Sequence, residues 1–380
     1  MEAERHLLPL LKARRVLLCV GCGGVGKTTT TAALGLAAAR LGKRVLCLTI
    51  DPARRLAQSL GLSWASTEAR TVDADLLAKV GVPGGGSLTI MRVDTKSTFD
   101  GLIKQLAPTP ERRDRILNNV LYRYISTSLA GTQEYMAMEK LYALKDDARY
   151  DLILLDTPPT ANALDFLDAP ERLVGAIDSP AIRWFVQAFD PASSGLRFNL
   201  VAKSTATLLK GLGRITGGGF LEQVAGFVSE INSVFGGWRQ RANEVSAALR
   251  GPDVGYVLVT TPDPLAIREV AFFAERLKKE HMHADAFVVN RVHPPLPAEV
   301  DGVPEAIAKT GLPGEPAFAD KCREALRDAS RQGRLDRLHL LSLENAIDEA
   351  GAPAVHVPTV ASDVYDLEAL GEIATILAMA

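Results

Sequence analysis

The residues best suited to chemistry form one run near the start of the chain. Gly21-Cys22-Gly23-Gly24-Val25-Gly26-Lys27-Thr28 has the spacing G-x-x-x-x-G-K-T. Its glycines let successive backbone N–H groups converge on one anion, which a lysine and a hydroxyl then approach from their side chains. Lys27 is expected to reach the β and γ phosphates of a nucleoside triphosphate, and Thr28 to ligate Mg²⁺. Gly23, Gly24, Val25, Gly26 and Thr29 complete the nucleotide cradle. Gly21, Gly23 and Gly26 also satisfy the G-x-G-x-x-G fingerprint of dinucleotide sites, and Asp51 falls near where a ribose-binding acid would stand. Such a site has no use for Lys-Thr directly after its third glycine, so the triphosphate reading is preferred.

The flanking residues are those a phosphate cradle needs. Residues 15–20 are a short Val/Leu run suited to a buried parallel strand, and residues 29–40 read as an Ala/Leu helix. The helix N-terminus adds partial positive charge at the loop. A second apolar run, 150–155, ends in Asp156-Thr157-Pro158-Pro159-Thr160. Asp156 is expected to hold Mg²⁺ through water while the loop beyond senses the γ-phosphate; the lesser alternative, compatible with it, is a cap on the helix that begins near Asn162. Further buried strands are expected at 44–50, 88–93, 254–260, 284–290 and 352–357, the last closed by Pro358. Seven strand candidates alternating with helices predict an α/β fold, a doubly wound and mostly parallel sheet. We expect one nucleotide-binding domain over 1–380, with helical regions at 97–145 and 171–250.

The second helical region breaks the strand–helix alternation. Ile182, Trp184, Phe185, Phe189, Leu196, Phe198 and Leu200 give it exposed-looking bulk, and Leu221, Val224, Phe227, Val228, Ile231, Val234 and Phe235 make an apolar stripe. Such a stripe is ordinarily core. The glycine clusters at 211–213 and 217–219 instead suit a lid or groove of low local stability.

Bulk composition narrows the class. The 380 residues are 47% hydrophobic and 23% charged, the balance of a soluble globular chain. A formal net charge of −2 supplies no general attraction to nucleic acid, and interleaved acids make the arginines of 323–337 surface pairs. No apolar run reaches 18 residues, so no transmembrane segment is expected. The N-terminal leucines lack a small-residue cleavage site, which argues against a signal peptide. Four cysteines without a paired framework point to a reducing cytoplasm. Cys19 and Cys22 form C-x-x-C, half of a tetrahedral zinc site; with Cys19 inside a strand and Cys22 in the loop, packing is the favoured role.

With these motifs in hand, the chain resembles the ArsA family, the arsenical-pump ATPases and the ATPases that target tail-anchored membrane proteins. These form part of the signal-recognition-particle/MinD-like (SIMIBI) branch of P-loop NTPases. The loop at 21–29 resembles the family's deviant Walker A. LTIDPARRLAQSLG (48–61) is similar to its first switch, and the resemblance implies that Asp51 positions the attacking water. DTPPTANALDFLDAPERL (156–173) resembles the second switch, and VLVTTPDPLAIREV and FVVNRV its later strands. The resemblance makes Asn290 an adenine-recognising residue, with Pro358 counted beside it. It places Lys27, Asp51 and Asp156 in catalysis, and Thr28, Asp51 and Asp156 around Mg²⁺. Residues 171–250 fall where the targeting ATPases place client-binding helices.

Four departures qualify what the resemblance implies. The family carries a second lysine where this chain has Cys22, and that lysine reaches a partner's phosphates across a dimer interface. Its absence implies slow hydrolysis or another cation, for which Arg54 and Arg55 are the nearest candidates in sequence. The metalloid-binding cysteines of the pumps have no counterpart, and neither does the C-x-x-C that joins some targeting dimers. The second switch reads Ala161-Asn162 where Gly-His is common. The expectation is an ATP- and Mg²⁺-dependent switch, a homodimer or paralogue heterodimer. It would be cytoplasmic or peripheral at a membrane, with a hydrophobic or membrane-protein client. The alternatives are a nucleotide-binding adaptor with little turnover and, less favoured, a metalloid-efflux ATPase subunit.

Overall fold

The computed structural model describes residues 7–50, 56–57, 60, 68–128, 132–157, 167–180, 218–294, 296, 316–360 and 364–379. The chain divides into two compact units. Met1–Arg92, Asp147–Leu164 and Pro252–Ala380 form the first; Val93–Asp146 and Asp165–Gly251 form the second.

The first unit is built on β1 (Val16–Val20), β2 (Arg44–Thr49), β3 (Arg70–Thr71), β4 (Ser87–Arg92), β5 (Leu152–Asp156), β6 (Val254–Thr260), β7 (Ala284–Val292) and β8 (Ala354–Pro358). They form one sheet in the order β3-β4-β2-β5-β1-β6-β7-β8. Every neighbouring pair is parallel except β3 with β4. All residues of β1, β5 and β6 are buried, which is why these segments read as continuous apolar runs without alternation. The chain leaves β1 for β2 on one side and enters β6 on the other. The loop after β1 therefore sits where the winding reverses, the usual ligand crevice of such sheets.

Helices up to the middle of the chain are α1 (Leu8–Ala13), α2 (Lys27–Arg40), α3 (Ala74–Lys79), α4 (Thr95–Leu106), α5 (Pro110–Asn118), α6 (Val120–Ser128) and α7 (Thr132–Leu144). They are followed by α8 (Ala169–Ile177), α9 (Gly218–Leu249), α10 (Pro264–Lys279), α11 (Pro316–Ala350) and α12 (Leu367–Met379). On one sheet face α1, α2 and α12 share a core with Leu17, Cys19, Val45, Cys47, Val257 and Val288. Helices α10 and α11 pack on each other and on β7, and the right-handed crossover rule puts them on the opposite face. Asp263 caps α10, accepting from Leu265 N and Ala266 N at 2.8 and 3.0 Å, with Pro264 at the first turn.

All seven expected strands are present, with ends shifted by at most two residues. The eighth, β3, was not expected. Two exposed residues carry no apolar pattern, and they become a strand only by pairing antiparallel with β4. The helical region expected over 97–145 is also interrupted. Asn119 takes an extended conformation (ψ 137°) and its side chain accepts from Leu121 N at 2.8 Å, so α5 ends there and α6 begins.

The second unit is helical. Phe227, Ile231, Val234, Trp238, Ala242, Val245 and Leu249 are buried along α9, a repeat of three and four that makes one core face. Phe99 of α4 meets Trp238 edge-on with ring centroids 4.9 Å apart. Arg241 holds Glu139 of α7 through both Nε and Nη2, at 2.9 and 2.6 Å, and stacks 4.2 Å over the Tyr142 ring. The described part of the apolar stripe is therefore core and does not form an open groove. The bulky residues from Ile182 to Leu200 lie outside the described residues.

Candidate active site

The loop after β1 is shaped by its neighbours before any ligand is considered. A Cβ at position 21 would collide with Val259 O of the adjacent β6, so only glycine lets the chain turn there. Gly26 has φ +96° and forms the left-handed N-cap of α2 without a side-chain cap. The first N–H groups of that helix, on Lys27, Thr28 and Thr29, thus remain for an anion.

Lys27 is buried, and its Nζ donates to Gly21 O and Cys22 O, both at 2.8 Å. An ammonium has three N–H donors, so one is left over for a phosphate oxygen. Burial lowers its pKa from the ordinary lysine value, and the Asp156 carboxylate opposes that shift. Lys27 thereby braces the loop and is aimed by it.

Asp156 closes β5 in register with Cys19 on one side and Thr49 on the other. Its Oδ2 accepts from Thr28 Oγ1 at 2.8 Å and from Thr49 Oγ1 at 3.0 Å. Two hydroxyls and a carboxylate in one cluster are hard oxygen donors of the kind Mg²⁺ prefers, so the residues present fit that ion. Thr157 donates from Oγ1 to Cys19 O at 2.8 Å, tying the start of the following loop to β1. Thr49 escaped the sequence reading, where the only available signal was its position at a strand end, and Thr157 entered it only as part of the loop after Asp156.

Asn290 lies at the end of β7, and its Nδ2 donates to Val25 O of the loop at 2.9 Å. Pro358 ends β8, exposed, in register with Val292. Gly23 and Gly24 are exposed and Val25 is buried. Asp51, Arg54, Arg55, Ala161 and Asn162 lie outside the described residues. Cys19 is fully buried on the α2 side of the sheet, and desolvation pushes its thiol up to about 12. Cys22 is in the loop, half-buried, with its pKa raised first by burial and then by Glu269.

A parallel sheet whose central strand feeds a glycine loop, a lysine and a helix, with an aspartate tipping the adjacent strand, defines a P-loop NTPase. The comparisons with known proteins sharpen that class. Residues 14–181 match the model of the anion-transporting ATPase family, ArsA_ATPase. The chain is 26% identical over 303 residues to the ATPase GET3 of Paracoccidioides lutzii, covering 77% of this chain and 79% of that protein. It is 24% identical over 287 residues to ATPase GET3 of Malassezia globosa, covering 75% of each. Over residues 14–181 the chain is thus similar to the ArsA ATPases, and the protein is an ATPase. No helix among the described residues is long and apolar enough to cross a membrane.

Proposed function

We propose that this ATPase is a nucleotide-driven switch in which Lys27, Thr28 and Asp156 grip Mg²⁺·ATP and the hydrolytic state is passed to the helical unit. The observation that carries the reading is the 2.8 Å contact between the Thr28 hydroxyl and the Asp156 carboxylate. It brings the two expected metal-binding groups together from elements 128 residues apart in sequence. When bound, Mg²⁺ would offset charge on the β and γ phosphates. Lys27 binds and orients the same oxygens from inside the loop, and Asp51 positions the water that attacks the γ-phosphorus as ADP departs. Gly23 to Thr29 hold the phosphates, and Asn290 and Pro358 flank the adenine. In the rest of the reading, the chain works in the cytoplasm as a homodimer or paralogue heterodimer. A hydrophobic or membrane-protein client engages the bulky residues of 171–250 that precede the core stripe of α9. The resemblance to the targeting ATPases supports these points.

Steady-state phosphate release from ATP tests the site. The parent should turn over with Mg²⁺ and stop on chelation, and Lys27→Ala should lose at least about 10²-fold in rate. Hydrolysis by Lys27→Ala at the parental rate would remove the proposal.

A further inference from the structure

The end of β7 holds, next to Asn290, an arginine that the site described so far does not use. Val289 pairs with His356 and Val292 with Pro358, so Asn290 and Arg291 together oppose the single residue Val357 of β8. This is a β-bulge, a feature that re-aims side chains beside functional sites. Arg291 sits in it at φ +58°, the left-handed region that a long side chain rarely adopts. The bulge sends both side chains to the phosphate loop. Asn290 Nδ2 donates to Val25 O at 2.9 Å, and Arg291 Nη1 to Gly24 O at 3.3 Å. Asn290 Oδ1 accepts from the Arg291 backbone N–H at 3.0 Å, which locks the pair.

Arg291 is exposed, and it lines a cavity of about 380 Å³ whose wall is the loop itself, Cys22 to Val25. Asp263, Leu265, Ala266 and Glu269 of the β6–α10 segment face it there. Positions 21–29 contain a single cation, Lys27, and its side chain is committed to two loop carbonyls. A triphosphate carries more negative charge than one lysine and one divalent ion neutralise. The guanidinium on the outer wall reaches only a neutral carbonyl, Gly24 O, at 3.3 Å, a weaker partner than an anionic phosphate oxygen.

We propose that Arg291 is the second cation of this ATP site, exchanging the Gly24 carbonyl for a terminal phosphate oxygen when a triphosphate fills the loop. The inference rests on the triphosphate reading of the loop and deepens it. Arg291 is a phosphate-contacting residue that discriminates ATP from ADP, on the cavity wall it shares with Cys22.

Equilibrium binding of ATP and ADP with Mg²⁺, together with phosphate release, tests it. Arg291→Gln should weaken ATP about tenfold, the effect of losing one charge-assisted contact, and weaken ADP much less; Arg291→Lys should retain most of the affinity. Cys22→Lys should restore turnover to the Arg291→Gln chain, because it places a new cation on the same wall. Equal losses for ATP and ADP, or unchanged ATP binding, would overturn the proposal. So would failure of the lysine at 22 to recover rate. A Lys27→Ala chain run in parallel separates the two readings. If it hydrolyses ATP normally, the site itself is misassigned; if it is inactive while Arg291→Gln matches the parent, only the role of Arg291 falls.

Discussion

Thr28 and Asp156, from the first turn of α2 and the last residue of β5, meet at 2.8 Å between Oγ1 and Oδ2. Thr49 Oγ1 reaches the same carboxylate oxygen at 3.0 Å from the neighbouring strand. Three side chains from three elements are thus gathered at one end of the sheet. Thr28→Val keeps the shape and removes the hydroxyl proposed to ligate Mg²⁺. Its ATP turnover is expected to fall by about 10²-fold, and the Mg²⁺ concentration for half-maximal rate to rise. An unchanged Mg²⁺ midpoint would show that the hydroxyl does not reach the ion.

The loop glycines differ in why they must be glycine, and stability measurements can separate the reasons. At Gly21 a Cβ collides with Val259 O, backbone of a central strand that cannot yield. Gly21→Ala should cost about 1–3 kcal/mol by overpacking and also misplace the loop. At Gly24 a Cβ meets nothing within 4 Å, and only the backbone at φ +83° resists. Gly24→Ala should cost about 1–2 kcal/mol with the strand packing intact. Denaturant midpoints for both variants, with Val259 hydrogen exchange, check the contrast; exchange at Val259 should quicken only for Gly21→Ala.

In the helical unit the Glu139 side chain is 5% exposed and is matched by Arg241 in a forked pair. Removing the carboxylate strands a largely buried guanidinium, so Glu139→Ala should destabilise that unit by about 3–5 kcal/mol. Replacing the pair together with apolar residues of similar volume should cost far less. Urea unfolding of the single and double variants checks the non-additivity.

Asp151 gives an acid-side signature. Arg44 donates to it from its side chain and its backbone, holding the carboxyl at about 2 against an ordinary 3.8. A depressed carboxylate stabilises the fold fully above its unfolded value. The contribution fades as pH falls below 3.8 through about 2. The pair is substantially exposed, 46% for Arg44 and 37% for Asp151, so its worth is at most about 1 kcal/mol. Asp151→Asn should therefore flatten the acid limb of the stability curve slightly in that window and leave stability at neutral pH lower by the same amount. A variant whose acid limb matches the parent would show that the pair contributes nothing.

The phosphate loop, Asp156 and the strands that carry them were legible in the amino-acid sequence because each is encoded locally. Glycine spacing, a lysine after the last glycine, and apolar runs long enough to cross a buried sheet need no knowledge of neighbours. The same holds for the burial of Cys19 inside β1. The tertiary structure decided whatever depends on register and adjacency. Thr49 became part of the site because β2 lies beside β5 with Thr49 opposite Asp156, which no spacing announces. Strand β3 exists only through its partner. The apolar stripe of α9, open to two readings as a pattern, is core where described because α4 lays Phe99 against Trp238. Arg291 carries no local signal of its role; a one-residue mismatch between β7 and β8 turns it onto the loop. Local chemistry is written in residue type and spacing, whereas the direction a side chain finally points is set by strands that are distant in sequence.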